Sequence, residues 1–177
     1  MTDASFEAFV REYQDMVFAT AVRLLGREAE AEDVAQTVFM RAFERFAELG
    51  SSHSVAGWLK TVTTNLCLNH LSRYRARWQF FSEVESAAPA TLLSERIALM
   101  ASAPEELERI ERQNRLERAL RTLPDHQRVP LVLFHFEEMS YQAIAESLGI
   151  SIAKVKTDIH RGRDALKRQL TDPDGTR

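Results

Sequence analysis

Lys154, Lys156, Arg161, Arg163, Lys167 and Arg168 crowd one short stretch near the C-terminus, opposed only by Asp158 and Asp164. Ammonium and guanidinium groups at this density suit a polyanion, since they neutralise phosphates and, when aimed into a groove, read base edges. Just before them runs Ser140-Tyr141-Gln142-Ala143-Ile144-Ala145-Glu146-Ser147-Leu148-Gly149-Ile150-Ser151. That order reads as a helix-turn-helix: Ile144, Ala145 and Leu148 form the buried face of a first helix, Gly149 supplies a left-handed turn, and Val155 and Ile159 pack a second helix back. Lys156, Thr157, His160, Arg161 and Arg163 then point away from the core, where a recognition helix meets the major groove, and Lys154 lies nearer the helix start, suited to phosphate. A solvated basic face explains a charge run taken alone. The turn signature beside it favours DNA.

The rest of the charge is as segregated. Lys60, Arg73, Arg75 and Arg77 share a stretch without any acid, whereas Glu83 to Glu111 carries seven Glu against two Arg. The net charge of −3 averages over these blocks and does not exclude a nucleic-acid partner. Cations also suit a helix C-terminus, so part of the basicity before residue 78 has a purely structural explanation.

The elements that must carry these groups are helices. Phe6, Phe9, Val10, Tyr13, Val17, Ala21, Leu24 and Leu25 follow three-and-four spacing up to Gly26. A second helix is predicted from about Ala29 to Phe46, burying Val34, Val38, Ala42 and Phe46. After the loop around Gly50 to Ser54, with Ser54 as cap, a third runs from Val55 to Arg77, burying Trp58, Leu59, Val62, Leu66 and Tyr74. Periodicity then weakens until Pro104, broken by the apolar-containing Leu92 to Met100 segment. Further helices are expected at Pro104 to Thr122, Asp125 to Glu138, Tyr141 to Leu148 and Ile152 to Leu170. Pro130 predicts a late start or a kink in the second of these. The expected fold class is all-α, with two small helical domains (1–80 and 104–171), an acidic linker at 81–103 and a disordered tail at 172–177.

With only 6 Gly and 5 Pro against 45% hydrophobic residues, the chain has material for packed cores and little of the turn chemistry that many strands require. The single Cys67 makes no intramolecular disulfide, and no Cys/His set has zinc-finger spacing, so no metal or cofactor is expected. No export signal or long apolar run is evident, which predicts a cytoplasmic protein without membrane insertion. No Ser/His/Asp set or phosphate-binding glycine loop argues for an enzyme.

Leu123-Pro124, Ser140-Tyr141, Ile144-Ala145, Leu148-Gly149-Ile150-Ser151, Val155-Lys156 and Arg161-Gly162-Arg163 together resemble the fourth conserved region of the sigma-70 family. Ala31-Glu32-Asp33-Val34-Ala35-Gln36 with Phe39, and Trp58-Leu59 followed by Asn65, resemble its second region. The two regions with only a linker between them form the layout of the extracytoplasmic-function group. The resemblance spans about 6–77 and 105–170. It implies a transcription initiation factor whose partners are core RNA polymerase, promoter DNA and an anti-sigma factor. It assigns Asp33, Gln36, Thr37 and Met40 to the polymerase clamp, although the family often has Glu where Thr37 stands. It matches the loop from Leu49 and the helix after it to the part that opens the minus-ten element. Ser51, Ser52, His53 and Ser54 would then line a pocket for a flipped base, with Lys60, Arg73, Arg75 and Arg77 supplying charge to the single strand. It gives the minus-thirty-five element to Lys156, Thr157, His160, Arg161 and Arg163, and Lys154 is expected to meet phosphate beside them. Asp158 departs from the family's basic or neutral residue and would either read a cytosine amine or lower non-specific affinity. The acidic linker resembles the segment that threads toward the RNA exit path.

Two alternatives stay open on sequence alone. One is a sigma-like decoy for an anti-sigma factor, which would ordinarily carry a receiver domain, and none is visible. The other is a conventional helix-turn-helix regulator, which would bind an operator tightly without polymerase. An initiation factor with two short basic surfaces should instead hold free duplex weakly and in a salt-sensitive manner.

Overall fold

The computed structural model describes residues 3–49, 54–78 and 104–171, and side chains within 5–49, 54–72 and 105–171. Every regular element among them is α-helical, and they form two compact units. The first holds α1 (Asp3–Leu25), α2 (Glu28–Glu44), the single turn α3 (Phe46–Leu49) and α4 (Val55–Trp78). The second holds α5 (Pro104–Thr122), α6 (Asp125–His135), α7 (Tyr141–Leu148) and α8 (Ile152–Thr171).

In the first unit α1, α2 and α4 pack against one another. Gly26 stops α1 at φ 74°, with its N–H on the Val22 carbonyl at 2.8 Å. A left-handed residue there lets the chain reverse at little steric cost because glycine has no Cβ. Four-residue spacing places Val34, Val38 and Ala42 of α2 against Val17, Ala21 and Leu24 of α1, all buried. In α4 the buried stripe is Leu59, Thr63, Cys67 and Leu71. The predicted core residues Trp58, Val62 and Leu66 are only half-buried, lying beside that stripe. Thr63 is tolerated in the core because its hydroxyl donates to the Leu59 carbonyl at 2.7 Å. Tyr74 belongs to the side chains outside the described set.

The structure stops α2 two residues before the predicted Phe46. Arg45 leaves helical geometry (φ −112°, ψ 15°), and Phe46 opens α3 with its ring edge-on to Phe6 and Phe9, at centroid distances of 5.2 and 5.3 Å. Anchoring this ring on α1 decides where the helix breaks.

In the second unit α8 packs on α5, α6 and α7. The α5–α6 turn is held by Arg128, whose side chain is buried: it donates to the Leu123 carbonyl at 2.8 Å and to Asp125 Oδ1 at 2.6 Å. Of the late start or kink expected from Pro130, the late start does not occur. The helix begins at Asp125, where the N–H groups of Gln127 and Arg128 both reach the Pro124 carbonyl at 2.9 Å. A proline inside a helix costs about 3 kcal/mol. Burying Val129, Leu131, Val132 and Leu133 around it offsets that, at about 1.5–3 kcal/mol for each fully buried side chain. The helix also ends at His135, short of the predicted Glu138. The N–H groups of Phe136 and Glu137 turn back onto the Val132 carbonyl, Met139 bonds the Leu133 carbonyl, and Glu138 takes φ 54° to make the reversal.

Gly162 sets how closely α8 lies on α6. A Cβ added there would stand 2.9 Å from Leu131 Cδ1 and 3.3 Å from the Gln127 carbonyl oxygen. Leu131 is buried and the second contact is backbone, so neither gives way easily. Gly162→Ala gains up to about 1 kcal/mol of helix propensity and meets an overpacking cost of about 1–3 kcal/mol. The expected outcome is a net loss of about 1 kcal/mol, read as a lower midpoint in urea denaturation followed by circular dichroism. A midpoint at or above wild type would mean that the crossing is not close-packed.

Candidate functional site

The helix-turn-helix is built as its residue types require. Ser140 caps α7 in extended geometry, its Oγ accepting from the Ala143 N–H at 3.1 Å, and Gly149 ends it at φ 65°. The Ile150 N–H closes the turn onto the Ala145 carbonyl, and Ser151 Oγ accepts from the Lys154 N–H at 3.2 Å. Ile144, Ala145, Val155 and Ile159 are buried between the two helices, whereas Leu148, predicted to be buried, is half-exposed.

On α8, Val155, Asp158, Ile159, Gly162 and Leu166 make the buried stripe. At 100° per residue the opposite side is a crest centred on Thr157, His160 and Asp164, with Arg161 at its edge on the side of Lys154, all exposed. Thr157 uses its hydroxyl proton on the Ala153 carbonyl at 2.9 Å, leaving a methyl group and oxygen lone-pair density facing outward. His160 Nε2 lies 3.3 Å from Asp164 Oδ2.

Lys154, Lys156 and Arg163 occupy the two flanks, where they are exposed and each meets a partner. On one flank Asp158 is 2% exposed, and Lys154 Nζ reaches its two carboxylate oxygens at 2.9 and 3.2 Å. Burial withdraws Asp158 from any cytosine amine, which removes the first of the two sequence readings of this residue. Its charge is compensated by Lys154, whose side chain is half exposed. On the other flank Lys156 Nζ lies 5.6 Å from the centroid of the Tyr141 ring. The Arg163 guanidinium lies 5.9 Å from that of Phe134, and its Nε donates to His135 Nε2 at 3.1 Å. Phe134, His135 and Tyr141 escaped the sequence reading because their link to α8 arises only where the end of α6 meets the start of α7.

In the first unit Asp33, Gln36 and Met40 are exposed along one side of α2, and Thr37 is half-buried, donating to the Asp33 carbonyl at 2.9 Å. Met40 is 63% exposed and Phe43, one turn further and missed by sequence reasoning, is 58% exposed. Two large apolar side chains in solvent on the same helix suit a contact surface. Just before α4 Ser54 is exposed, its carbonyl accepting from the Trp58 N–H at 3.0 Å, and Lys60 on α4 is half-buried. Ser51, Ser52 and His53 lie outside the described residues, as do the side chains of Arg73, Arg75 and Arg77 on the last turns of α4. So do the 81–103 linker, with its Leu92 to Met100 segment, and the 172–177 tail. Among the described residues no group of three or more His, Cys, Asp or Glu could hold a metal ion. No described helix is long and apolar enough to cross a membrane.

Comparison with known proteins matches residues 9–77 to sigma-70 region 2 and residues 113–166 to sigma-70, region 4. The chain is 32% identical over 168 residues to the ECF RNA polymerase sigma factor SigW of Bacillus subtilis, covering 95% of this chain and 90% of the relative. It is 31% identical over 170 residues to the RNA polymerase sigma factor YlaC of the same organism, covering 94% and 92%. A solved structure of the sigma factor RpoE in complex with the anti-sigma factor NepR from Bartonella quintana shares the fold. Its TM-score is 0.54 at 21% identity, over 94% of this chain and 97% of that one.

The contacts of His135 make one stability term depend on pH. Burial, and then the charge of Arg163, push its imidazole below the ordinary histidine value of 6.5. Between that lowered value and about 6.5 the folded chain binds fewer protons than the unfolded chain. The stabilising contact is therefore complete above about pH 6.5 and is lost as pH falls through the lowered value. Thermal melts should show wild type losing ground to His135→Gln as the buffer is taken from pH 7.5 to 5.5. A gap between the two that does not change with pH would disprove this.

Proposed function

Because this chain belongs to the extracytoplasmic-function group of the sigma-70 factors, which direct core RNA polymerase to promoters and initiate transcription, we propose a division of that task among its surfaces. The Asp33, Gln36, Thr37 and Met40 face of α2 docks on the polymerase. Ser51, Ser52, His53 and Ser54, with Lys60, Arg73, Arg75 and Arg77, engage the melted minus-ten element. The α8 crest, Thr157, His160 and Arg161, reads base edges of the minus-thirty-five element, while Lys154, Lys156 and Arg163 on its flanks meet phosphate. Residues 1–80 and 104–171 are the two working domains and 81–103 the tether. The polymerase does the chemistry in this reading, and the chain works in the cytoplasm as a specificity subunit.

The observation that carries the minus-thirty-five assignment is the sorting of α8 into a buried stripe, two flanks of tethered cations and an exposed crest. Of the two exposed guanidinium groups in the middle of α8, Arg163 is engaged by Phe134 and His135, and that of Arg161 is left to match the two acceptors of a guanine edge. The apolar exposure of Met40 and Phe43 supports α2 as a protein interface. An anti-sigma factor, the kind of partner seen with the Bartonella quintana protein, is part of the same proposal, and covering Met40 and Phe43 would block polymerase docking.

Two measurements test the division. The double substitution Asp33→Ala and Gln36→Ala should weaken pull-down of core polymerase while leaving the helical circular dichroism unchanged; undiminished capture rules out this face. In run-off transcription over a randomised minus-thirty-five library, Arg161→Ala should cost about 1–3 kcal/mol and relax selection at one or two positions. Lys154→Ala should weaken all sequences alike, and it should also lower the melting temperature, because Asp158 is left as a buried carboxylate without its ion-pair partner. Base preferences that survive Arg161→Ala and change with Lys154→Ala would mean that α8 lies in the groove in another orientation.

A further inference from the structure

Phe134, at the end of α6, and Tyr141, at the start of α7, stack with centroids 4.7 Å apart and planes 10° from parallel. Their outer faces are occupied by cations of α8: Lys156 over Tyr141 at 5.6 Å and Arg163 over Phe134 at 5.9 Å. Both distances fall within the roughly 6 Å reach of a cation on a ring face. His135 stands edge-on to Phe134 at 4.9 Å, and its Nε2 accepts from Arg163. Lys156 and Arg163 are seven residues apart, so they lie on one stripe of α8, about 10 Å from each other along its axis.

We propose that the stacked pair Phe134 and Tyr141 is a positioning rail for DNA binding, holding Lys156 and Arg163 on one flank of α8 as preset phosphate contacts. The proposal rests on the reading that this flank meets the DNA backbone. Lysine and arginine lose rotamer freedom when they grip a phosphate, and a side chain already lying on a ring has given up part of that freedom before DNA arrives. A ring face satisfies a cation without using its N–H groups. The Lys156 ammonium therefore keeps its donors for phosphate oxygens, as does the part of the Arg163 guanidinium not engaged with His135. Holding these two cations to the flank also keeps them off the crest, where they would compete with Arg161 for base edges.

The test uses the full chain assembled with core polymerase and a set of minus-thirty-five sequences, measuring promoter binding against salt. Lys156→Gln and Arg163→Gln should each weaken every sequence similarly and flatten the salt slope by about one phosphate contact. Phe134→Leu and Tyr141→Leu should each act in the same sense, by about two- to tenfold in affinity, with base preferences unchanged. Tyr141→Phe, which keeps the ring, should behave as wild type. Adding Phe134→Leu to Arg163→Gln, or Tyr141→Leu to Lys156→Gln, should cost little more than the cation substitution alone, because each pair acts as a unit. A merely structural role would instead produce additive losses and leave the salt slope where it was, and that result overturns the rail. If both cation substitutions leave binding unchanged, the phosphate reading itself fails and the rail falls with it. Nuclear magnetic resonance of the free chain supplies a check that needs no variant. The side-chain methylenes of Lys156 and Arg163 should be shifted upfield by the ring currents, and methylenes at unshifted positions would overturn the proposal.

Discussion

Where α8 crosses α6, the α carbon of Gly162 carries only hydrogen, and Leu131 and the backbone of Gln127 fill the space that a side chain would take. Helix pairs settle at a spacing set by the bulk between them, so this one position fixes how deeply α8 sits on the second unit. Depth in turn decides rotation. With Val155, Ile159, Gly162 and Leu166 drawn inward, Thr157, His160 and Arg161 are left facing solvent. α6 gives α8 a broad apolar support because it buries Val129, Pro130, Leu131, Val132 and Leu133 in succession. A helix apolar on nearly every side belongs at the centre of a unit. Arg128 closes its entry by satisfying the Leu123 carbonyl that the α5–α6 turn leaves without a helical partner.

That rotation also sorts the charges. A cation on the rim of a buried stripe lies within reach of that stripe and of neighbouring helices, whereas one on the crest meets only water or a ligand. Lys154 therefore finds buried Asp158, Lys156 finds Tyr141 and Arg163 finds Phe134 and His135, each contact small but each narrowing where a long side chain can go. Arg161 projects from the edge of the crest on the Lys154 side, two turns further along the axis. Cations that look alike in composition become different kinds of group by their angle about one helix axis and their place along it.

The first unit solves a different problem with the same means. Its interior mixes aliphatic residues with Thr63 and Cys67 along α2 and α4, and an aromatic cluster of Phe6, Phe9 and Phe46 holds the short α3 against α1. Phe43 joins this cluster through Phe6, at 4.9 Å and edge-on, yet stays mostly in solvent. A ring anchored on one edge and exposed on the other gives α2 a firm apolar surface next to Met40, which suits docking better than a mobile side chain would.

Periodicity, caps and turn residues were enough to locate the long helices of both units, the Ser140 and Ser151 caps and the Gly149 turn, and the motif blocks on them carried the family resemblance. Each is a local property: a hydroxyl beside a free N–H, a glycine at positive φ, apolar residues recurring once per turn. The break at Arg45, the early end of α6 and the tolerance of Pro130 were not legible, because each depends on a partner remote in sequence or on burial on every side. The same holds within the candidate site. Asp158 and Arg163 read as exposed groups on a basic helix, since nothing in a linear pattern says which rim of that helix meets α6 and α7. Only packing, set by the absent side chain at Gly162 and the rings at Phe134 and Tyr141, decided that Asp158 turns inward and Arg163 is held aside. Sequence determined which groups are available for DNA and polymerase. Tertiary structure decided which of them are free to reach outward, because reach depends on a helix's rotation against its neighbours.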